Sequence, residues 1–463
     1  MKPAARSASL DLTSGPIMRT LVVFAAPTLI GNVLQTLNGT INAIWVGRML
    51  GESALAATAN ANIIMFLVFS TVFGFGMAAT VRIGRAFGAG DIDAARRTIG
   101  TAIGFTMLLS AAIAVAGWLA APQLLALLKT PGESAALALA YLRVFFLAVP
   151  AIALVTICSM GLRGSGDATT PLRFMILTIA LDILLNPLLI LGVGPLPALG
   201  IAGSALASVL ANAIGMISLV AWVYARDLPL RLRGAELRYL VPRRAELAYL
   251  VTQGLPMGAQ MLVVSGAGLV MIGLINREGL VVTAAYGATT QLWAYIQMPS
   301  LAVAAAVSAM VAQAIGADLH DRVGRITRAG IIANLGMTAV LTALILAFDR
   351  PVLALFLGGD SPAIPIARHI QFIATWSFLP LGVMFILFGT LRAYGVVIVP
   401  LLVLIFSLYA VRLGFYLFAY PVLGADAIYW SFLVSTTVSV SLAGLAYRVQ
   451  VPRQIIALRQ ELA

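Results

Sequence analysis

One carboxyl group lies in the middle of an apolar segment that is long enough to cross a bilayer. The segment runs from Pro171 to Gly192, and a helix of about 20 residues spans the hydrocarbon core. Asp182 lies near its centre and Asn186 follows four residues later, so both side chains share one helix face. A charge at this depth costs about 2.5–3.5 kcal/mol on insertion scales, unless it is neutral, paired or facing a wet cavity. The pattern predicts a proton or cation site.

Three prolines interrupt predicted spans. Pro187 directly follows Asn186, and because proline lacks an N–H, the carbonyl of Ile183 is left without its helical partner beside the carboxyl group. Pro27 and Pro256 interrupt two other apolar segments. Kinks that serve helix packing explain all three prolines, and the alternative is that they are hinges for a change in access to the site.

A stripe of amide side chains follows the first apolar segment. Its members recur at spacings of three, three and four residues: Asn32, Gln35, Asn38 and Asn42. Lipid cannot satisfy amide groups, so this stripe must face protein or water. The sequence leaves two interpretations open, which are hydrogen bonds that only hold helices together and the lining of a polar cavity around Asp182.

Other candidate binding residues lie further along the chain. Ser204 and Ser208 open the sixth segment beside glycines, where close helix packing explains small residues and donation to the Asp182 site is the alternative. Tyr286 and Gln291 belong to a polar and aromatic face of the eighth segment. That face suits planar organic molecules, although ordinary bundle packing explains it equally well.

The composition is that of a helical membrane protein. The chain is 61% hydrophobic and 10% charged, which no soluble chain of this length requires. The net charge of +12 therefore reports loop topology and not a nucleic-acid partner. A single cysteine, Cys158, excludes a disulfide framework and a cysteine-based zinc site. The chain lacks a phosphate-binding G-x-x-x-x-G-K-[ST] loop. His320 and His369 fall on opposite sides of the predicted topology, and with one cysteine and one buried acid neither a catalytic metal cluster nor a Ser/Cys–His dyad is expected. No enzyme, cofactor or metal is therefore predicted.

Twelve apolar segments can be placed. They cover about 17–46, 54–80, 98–120, 136–160, 170–192, 201–225, 246–272, 283–311, 326–348, 367–390, 396–420 and 424–447. When the amino terminus is placed in the cytoplasm, most of the 29 lysines and arginines fall on inner loops. This asymmetry predicts that both termini and the arginine-rich stretch 226–245 are cytoplasmic.

The chain also repeats itself. Residues of the first half recur 229 positions later, with Pro27 matching Pro256, Arg163 matching Arg392 and Pro171 matching Pro400. The repeat predicts an amino-terminal lobe (1–225), an interfacial linker (226–245) and a carboxy-terminal lobe (246–463). Six spans per lobe make the repeats parallel, related by a pseudo-two-fold axis along the membrane normal.

These features resemble the multidrug and toxic compound extrusion (MATE) family. The motifs that carry the resemblance are INAIWVGRMLGESALAA, the paired loops RAFGAGD and QAIGADLHD, LRGSGDATTP, and NPLLILGVGPLPALGIAGSALAS. The resemblance implies twelve transmembrane helices in two six-helix lobes. It also implies efflux of organic cations, coupled to an inward flow of protons or sodium ions.

The chain departs from the family pattern at its acidic positions. Asn42 stands where members usually carry an aspartate, and the usual Asn-x-x-x-Asp-Pro is exchanged here to Asp182, Asn186 and Pro187. Val264 and Leu381 stand where second-half acids occur in some members. The resemblance therefore places ion coupling in the first lobe, at Asp182 with Asn186, Asn42 and Gln35. Asn32, Asn38, Ser204, Tyr286 and Gln291 are the expected substrate contacts.

The resulting prediction is an all-α polytopic protein of the inner (plasma) membrane that exports organic cations by antiport against protons. The expected partners are an organic small molecule, a proton or sodium ion, and membrane lipids, and the protein is expected to be a monomer. A lipid-linked or glycan flippase of the same superfamily is the alternative. A major-facilitator transporter is suggested by the Asp321–Arg325 loop, and a membrane enzyme is the candidate from another class.

Overall fold

The computed structural model of the chain describes residues 10–127, 132–192 and 197–462. These residues form helices and no strand. In chain order the helices are α1 (Ile17–Leu50), α2 (Glu52–Gly88), α3 (Ile92–Leu127), α4 (Gly132–Gly164), α5 (Thr169–Leu191), α6 (Gly200–Ala225), α7 (Arg244–Ile275), α8 (Leu280–Gly316), α9 (His320–Ala347), α10 (Asp349–Leu357), α11 (Ala363–Ala374), α12 (Phe378–Ala393), α13 (Ile398–Ile405), α14 (Arg412–Leu423) and α15 (Asp426–Leu462).

The twelve predicted spans are confirmed within the described residues. Twelve helical stretches are long and apolar enough to cross a membrane. The tenth stretch, Ala363–Ala393, contains a 3-10 turn at Thr375–Ser377, and the eleventh, Ile398–Leu423, contains a π-helical turn at Phe406–Val411. The sequence did not predict these two irregular turns, because neither changes the run of apolar residues.

The three prolines lie inside helices. Pro27, Pro187 and Pro256 fall within α1, α5 and α7 and do not end them. Each removes one backbone donor from its helix. Whether any of them acts as a hinge remains a prediction.

The chain divides into two compact units. The first contains Ala26–Gly258 and the described residues before Leu12, and the second contains Leu12–Ala25 and Ala259–Ala463. Two of the three boundaries cut through a long helix, namely the boundary at Ala25 in α1 and the boundary at Gly258 in α7. The lobes predicted from the repeat, 1–225 and 246–463 with the linker 226–245, remain a prediction.

Glycines set the spacing of the helices around α5 in the first unit. Gly203 of α6 packs against the backbone of Leu189, and Gly215 of α6 packs against the side chain of Thr178. A side chain at either glycine would collide with α5. The two contacts therefore hold α6 close along about three turns of α5, and Ser208 lies between the two glycines along α6.

The linker is docked on α3 within the first unit. Tyr239 and Leu240 pack against Gly100 and Gly104, where any side chain would collide with the linker backbone. The hydroxyl of Tyr239 donates to Asp93 at 2.9 Å. Nearby, Arg96 forms an ion pair with Glu236 at 2.7 Å and donates to the carbonyl of Pro229 at 2.8 Å. The arginine-rich stretch is thus a folded part of this unit.

Candidate functional site: a buried carboxylate in a polar cavity

The carboxylate of Asp182 accepts three hydrogen bonds from neutral side chains. Asn38 and Asn42 of α1 donate to its Oδ2 at 3.0 and 2.9 Å, and Ser208 of α6 donates to its Oδ1 at 2.8 Å. Asp182 is 3% exposed. Hydrogen bonds to an ion take the place of hydration when a charge is buried. Helices α1, α5 and α6 therefore meet at this one side chain.

Asn42 links the carboxylate to the second predicted polar residue of α5. Its Nδ2 donates to Asp182, while its Oδ1 accepts a hydrogen bond of 2.6 Å from Nδ2 of Asn186. The amide of Asn42 is therefore held from both sides. Two buried acceptors in this network, Oδ1 of Asn38 and Oδ1 of Asn186, have no hydrogen-bond partner among the described residues. The network can thus accept further donors without losing a bond that it already makes.

A cavity of about 580 Å³ adjoins this network inside the first unit. All of the amide stripe of α1 lines it, together with Asp182, Ser204 and Ser208. Part of the remaining wall is apolar and aromatic, and includes Met65, Phe69, Phe73, Tyr141, Phe145 and Met175. The other part is polar, and includes Thr58, Asn62, Thr156, Ser159, Thr178, Asn212 and the charged Arg163. Cavities of about 300–1,000 Å³ that combine apolar and aromatic walls with placed polar groups are typical of sites for drug-sized molecules. The amide stripe therefore combines both interpretations, because it lines the cavity while Asn38 and Asn42 also form hydrogen bonds between α1 and α5. A role of the stripe in binding substrate stays a prediction.

The sequence predicted the polar wall but missed the opposite one. Tyr141 and Phe145 of α4 stack with their ring centroids 5.8 Å apart, and both line the cavity. Arg163, at the end of the same helix, lines it as well. The first half of α4 marks no cavity face, but Thr156, Ser159 and Arg163 recur at spacings of three and four residues near its end and all line the cavity. That polar line is the signal that could have identified this wall from the sequence.

Two predicted contact residues of the second unit do not line this cavity. Tyr286 is buried in an aromatic cluster with Trp293 and Phe432, while Gln291 is exposed. Arg412, whose role the sequence did not indicate, is buried in the same region. Its Nε donates to Ser435 at 2.9 Å, and its guanidinium lies 4.5 Å from the centre of the Phe432 ring.

Val264 and Leu381 occupy the two second-half positions at which the resemblance implies acids in some members. Val264 is an exposed residue of α7, and Leu381 of α12 packs against the buried core of the second unit. Neither residue lines the cavity that contains Asp182.

Twelve helices that can cross a membrane, with a drug-sized polar cavity inside one unit, define a multi-pass membrane transporter. The MatE family model matches the chain twice, over residues 27–188 and 256–417. The two matches are 229 positions apart, which is the offset of the sequence repeat. The chain belongs to the MATE family.

The chain is also similar to individual members. It is 34% identical, over 86% of this chain and 85% of the relative, to the probable multidrug resistance protein YoeA of Bacillus subtilis. It is 26% identical, over 83% of this chain and 84% of the relative, to an FAD transporter of Shewanella oneidensis. A crystal structure of a MATE protein in complex with MaL6 superposes with a TM-score of 0.89 at 22% identity, covering 97% of this chain and 99% of that one, which confirms the all-helical fold.

Proposed function

We propose that this protein exports organic cations from the cell by antiport against protons, and that Asp182 is the residue at which the two fluxes are coupled. The observation that carries the proposal is the position of Asp182. It is a buried carboxylate that lines a drug-sized cavity and is held by neutral donors alone. The similarity to a probable multidrug resistance protein supports the export of drugs.

The orientation of the amides favours a proton over a metal cation. Asn38 and Asn42 present their N–H groups, and not their oxygens, to the carboxylate. A sodium ion would require oxygen ligands on that side. A proton requires none, because a neutral Asp182 becomes a donor itself and can use the unpaired Oδ1 of Asn38. Protonation therefore changes which hydrogen bonds the site can make.

The change in hydrogen bonding is the proposed basis of antiport. Ionised Asp182 attracts an organic cation into the cavity, while neutral Asp182 no longer does. Because a ligand shifts a conformational equilibrium only through its different affinities for the two states, substrate and proton favour different states of the cavity. The remaining lining, Asn32, Gln35 and Ser204, and the aromatic wall of Tyr141 and Phe145 hold the body of the substrate.

The alternatives receive less support. A flippase for phosphate-linked lipids or glycans needs several basic residues in its cavity, whereas Arg163 is the single basic residue among the described lining residues. The same argument applies to a substrate such as FAD, which a relative is named for, because one guanidinium neutralises only part of a pyrophosphate.

The direct test is transport by the purified protein in proteoliposomes. Vesicles that are acidic inside are expected to accumulate a fluorescent organic cation such as ethidium, because protons leave as the cation enters. An equal sodium gradient without a pH gradient is expected to leave uptake at the level of protein-free vesicles. Uptake driven equally well by sodium alone would contradict proton coupling, and no uptake under either gradient would contradict the transport function.

We also propose that the protein is a monomer in the plasma membrane, with both termini and the linker in the cytoplasm. Ala235 is exposed in the linker and therefore suits a labelling test. In a Cys158→Ser background, Ala235→Cys is expected to react with a membrane-impermeant maleimide only after the cells are opened. A cysteine on the predicted outer side, at exposed Asp360, is the matched control and is expected to react in intact cells. The reverse pattern would refute the orientation.

A further inference from the structure

A second charged residue, Arg163, lines the cavity that contains Asp182. These two are the charged residues among the described residues of the lining. Arg163 belongs to the last turn of α4, and α5 begins only a few residues later at Thr169. Arg163 therefore lies at the end of the cavity that is formed by the start of α5, where Pro171 also lines it. Asp182 is about three helical turns further along α5, on the order of 16 Å.

No acidic residue neutralises Arg163 among the described residues. It forms no ion pair there, and its buried Nε has no hydrogen-bond partner. The nearest carboxylate in sequence, Asp167, is committed to the start of α5. Its oxygens accept hydrogen bonds from the backbone and hydroxyl groups of Thr169 and Thr170, at 2.5–3.1 Å. Asp182 is likewise held by its own three donors.

The backbone that carries Arg163 is closely packed against α2. Gly164 lies against the carbonyl of Thr80, and Gly76 of α2 lies against the side chain of Met160. The hydroxyl of Thr80 also donates to the carbonyl of Met160 at 2.9 Å. These contacts hold the last turn of α4 in place, so the guanidinium is presented to the cavity from a fixed position and not from a mobile loop.

We propose that Arg163 is a specificity-determining residue that binds an anionic group of the substrate. The inference rests on the proposed function and extends it from cations to amphiphilic zwitterions. Such a substrate places an amine toward Asp182 and a carboxylate or similar anion toward Arg163, with its apolar body against the aromatic wall. A substrate with only a positive charge leaves the buried guanidinium unpaired, which is unfavourable. A zwitterion compensates both charges of the cavity at once.

The repeat supplies a matched control. Arg392 is the counterpart of Arg163 in the second half, at the same point of the 229-residue repeat. Its Nε donates to the carbonyl of Phe388 in its own helix at 3.1 Å, and it does not line the cavity. Substitution of either arginine removes one largely buried charge from the end of a helix. Only the substitution of Arg163 also removes a charge from the cavity.

The test uses two dyes that differ by one charge. One is a rhodamine with a free carboxylate, which is a zwitterion, and the other is the methyl ester of the same dye, which is a cation. Affinities are measured by fluorescence anisotropy with the purified full-length protein. The wild type is expected to bind the two dyes within about threefold of one another. Arg163→Gln is expected to weaken binding of the zwitterion about tenfold relative to the ester, since charge-assisted hydrogen bonds typically contribute that much.

Two further variants sharpen the result. Arg163→Lys retains the charge and is expected to retain most of the affinity for the zwitterion, while Arg392→Gln is expected to leave the ratio of the two affinities unchanged. An unchanged ratio in Arg163→Gln overturns the proposal, as does an equal shift in Arg392→Gln. If Arg163→Gln does not fold, the ratio of the two wild-type affinities still tests the proposal, because a tenfold or greater preference for the ester rules out an anion-binding group.

This measurement is separate from the test of proton-driven export. Binding at equilibrium requires no gradient, so the dye ratio reports on Arg163 even if coupling to protons is wrong. Conversely, both dyes could be transported in exchange for protons while the ratio of their affinities is the same in the wild type and in Arg163→Gln. That result would support the proposed function and overturn only the role of Arg163.

Discussion

Replacement of Asp182 with asparagine is expected to abolish transport driven by a pH gradient while the protein still folds and inserts. Asparagine has nearly the size of aspartate, and one of its two polar atoms can still accept a hydrogen bond from Ser208 or Asn42. Its other polar atom becomes a donor, which suits the unpaired Oδ1 of Asn38. The variant therefore imitates the neutral form of Asp182 permanently and cannot release a proton.

The same substitution is expected to weaken the binding of organic cations. Asp182 is the one carboxylate among the described residues that line the cavity. Its loss removes a charge-assisted contact of about 1.5–3 kcal/mol, which corresponds to about tenfold or more in affinity. Both effects are measured on one preparation, by uptake into acid-loaded proteoliposomes and by equilibrium binding of ethidium. Asp360→Asn, at an exposed position, is the matched control and is expected to behave as the wild type.

Transport by Asp182→Asn at the wild-type rate would contradict the mechanism. If Asp182→Asn reached the wild-type level of expression and thermal stability and still concentrated substrate against a pH gradient, Asp182 would be a structural residue held in a hydrogen-bond network. Loss of binding without loss of coupling is not possible in the proposed scheme, because the same carboxylate serves both.

The second large effect is expected at Gly104, where the linker is docked. A β-carbon at this position would overlap the carbonyl oxygen of Leu240, and a backbone carbonyl cannot rotate away as a side chain can. Gly104→Val is therefore expected to destabilise the first unit by about 3 kcal/mol or more, at or above the usual range for overpacking. The overlap can also be removed if the linker detaches from α3, but this breaks the contacts of Tyr239 and Glu236.

Thermal unfolding in detergent and limited trypsin digestion together measure this effect. The linker contains the arginines Arg231, Arg233 and Arg238, so an undocked linker is expected to be cut much faster in Gly104→Val than in the wild type. Gly336→Val is the matched control, because no atom lies within 4 Å of a β-carbon built there. Equal stability and equal digestion rates in the two variants would show that the linker is not rigidly docked on α3.

The resemblance and the structure point to the same place for the proposed coupling, because Asp182 is the one acidic residue among the described residues that line the cavity. Asn42 stands where the resemblance implies an aspartate, and here it donates to Asp182 while it accepts from Asn186. A second carboxylate 2.9 Å away would repel the first, whereas the amide stabilises it.

The sequence by itself determined the twelve spans, the 229-residue repeat and the presence of a polar site around Asp182. The repeat follows from matching residues at a constant offset. The spans and the polar site follow from the bilayer, which requires long apolar segments and in which lipid cannot satisfy a buried carboxylate or a stripe of amides. The same rules assign a polar face to α1. They do not determine which of its residues reach Asp182, because that depends on where two helices cross.

Tertiary structure decided the rest through close helix contacts. Gly203 and Gly215 bring α6 against α5, and only then does Ser208 become a donor to Asp182. Tyr141 and Phe145 line the cavity although they lie in a run of α4 that is apolar around the helix, while Tyr286 joins a buried aromatic cluster of the second unit. Helical periodicity shows which residues share a face, but the neighbour of that face is set by packing between segments distant in sequence.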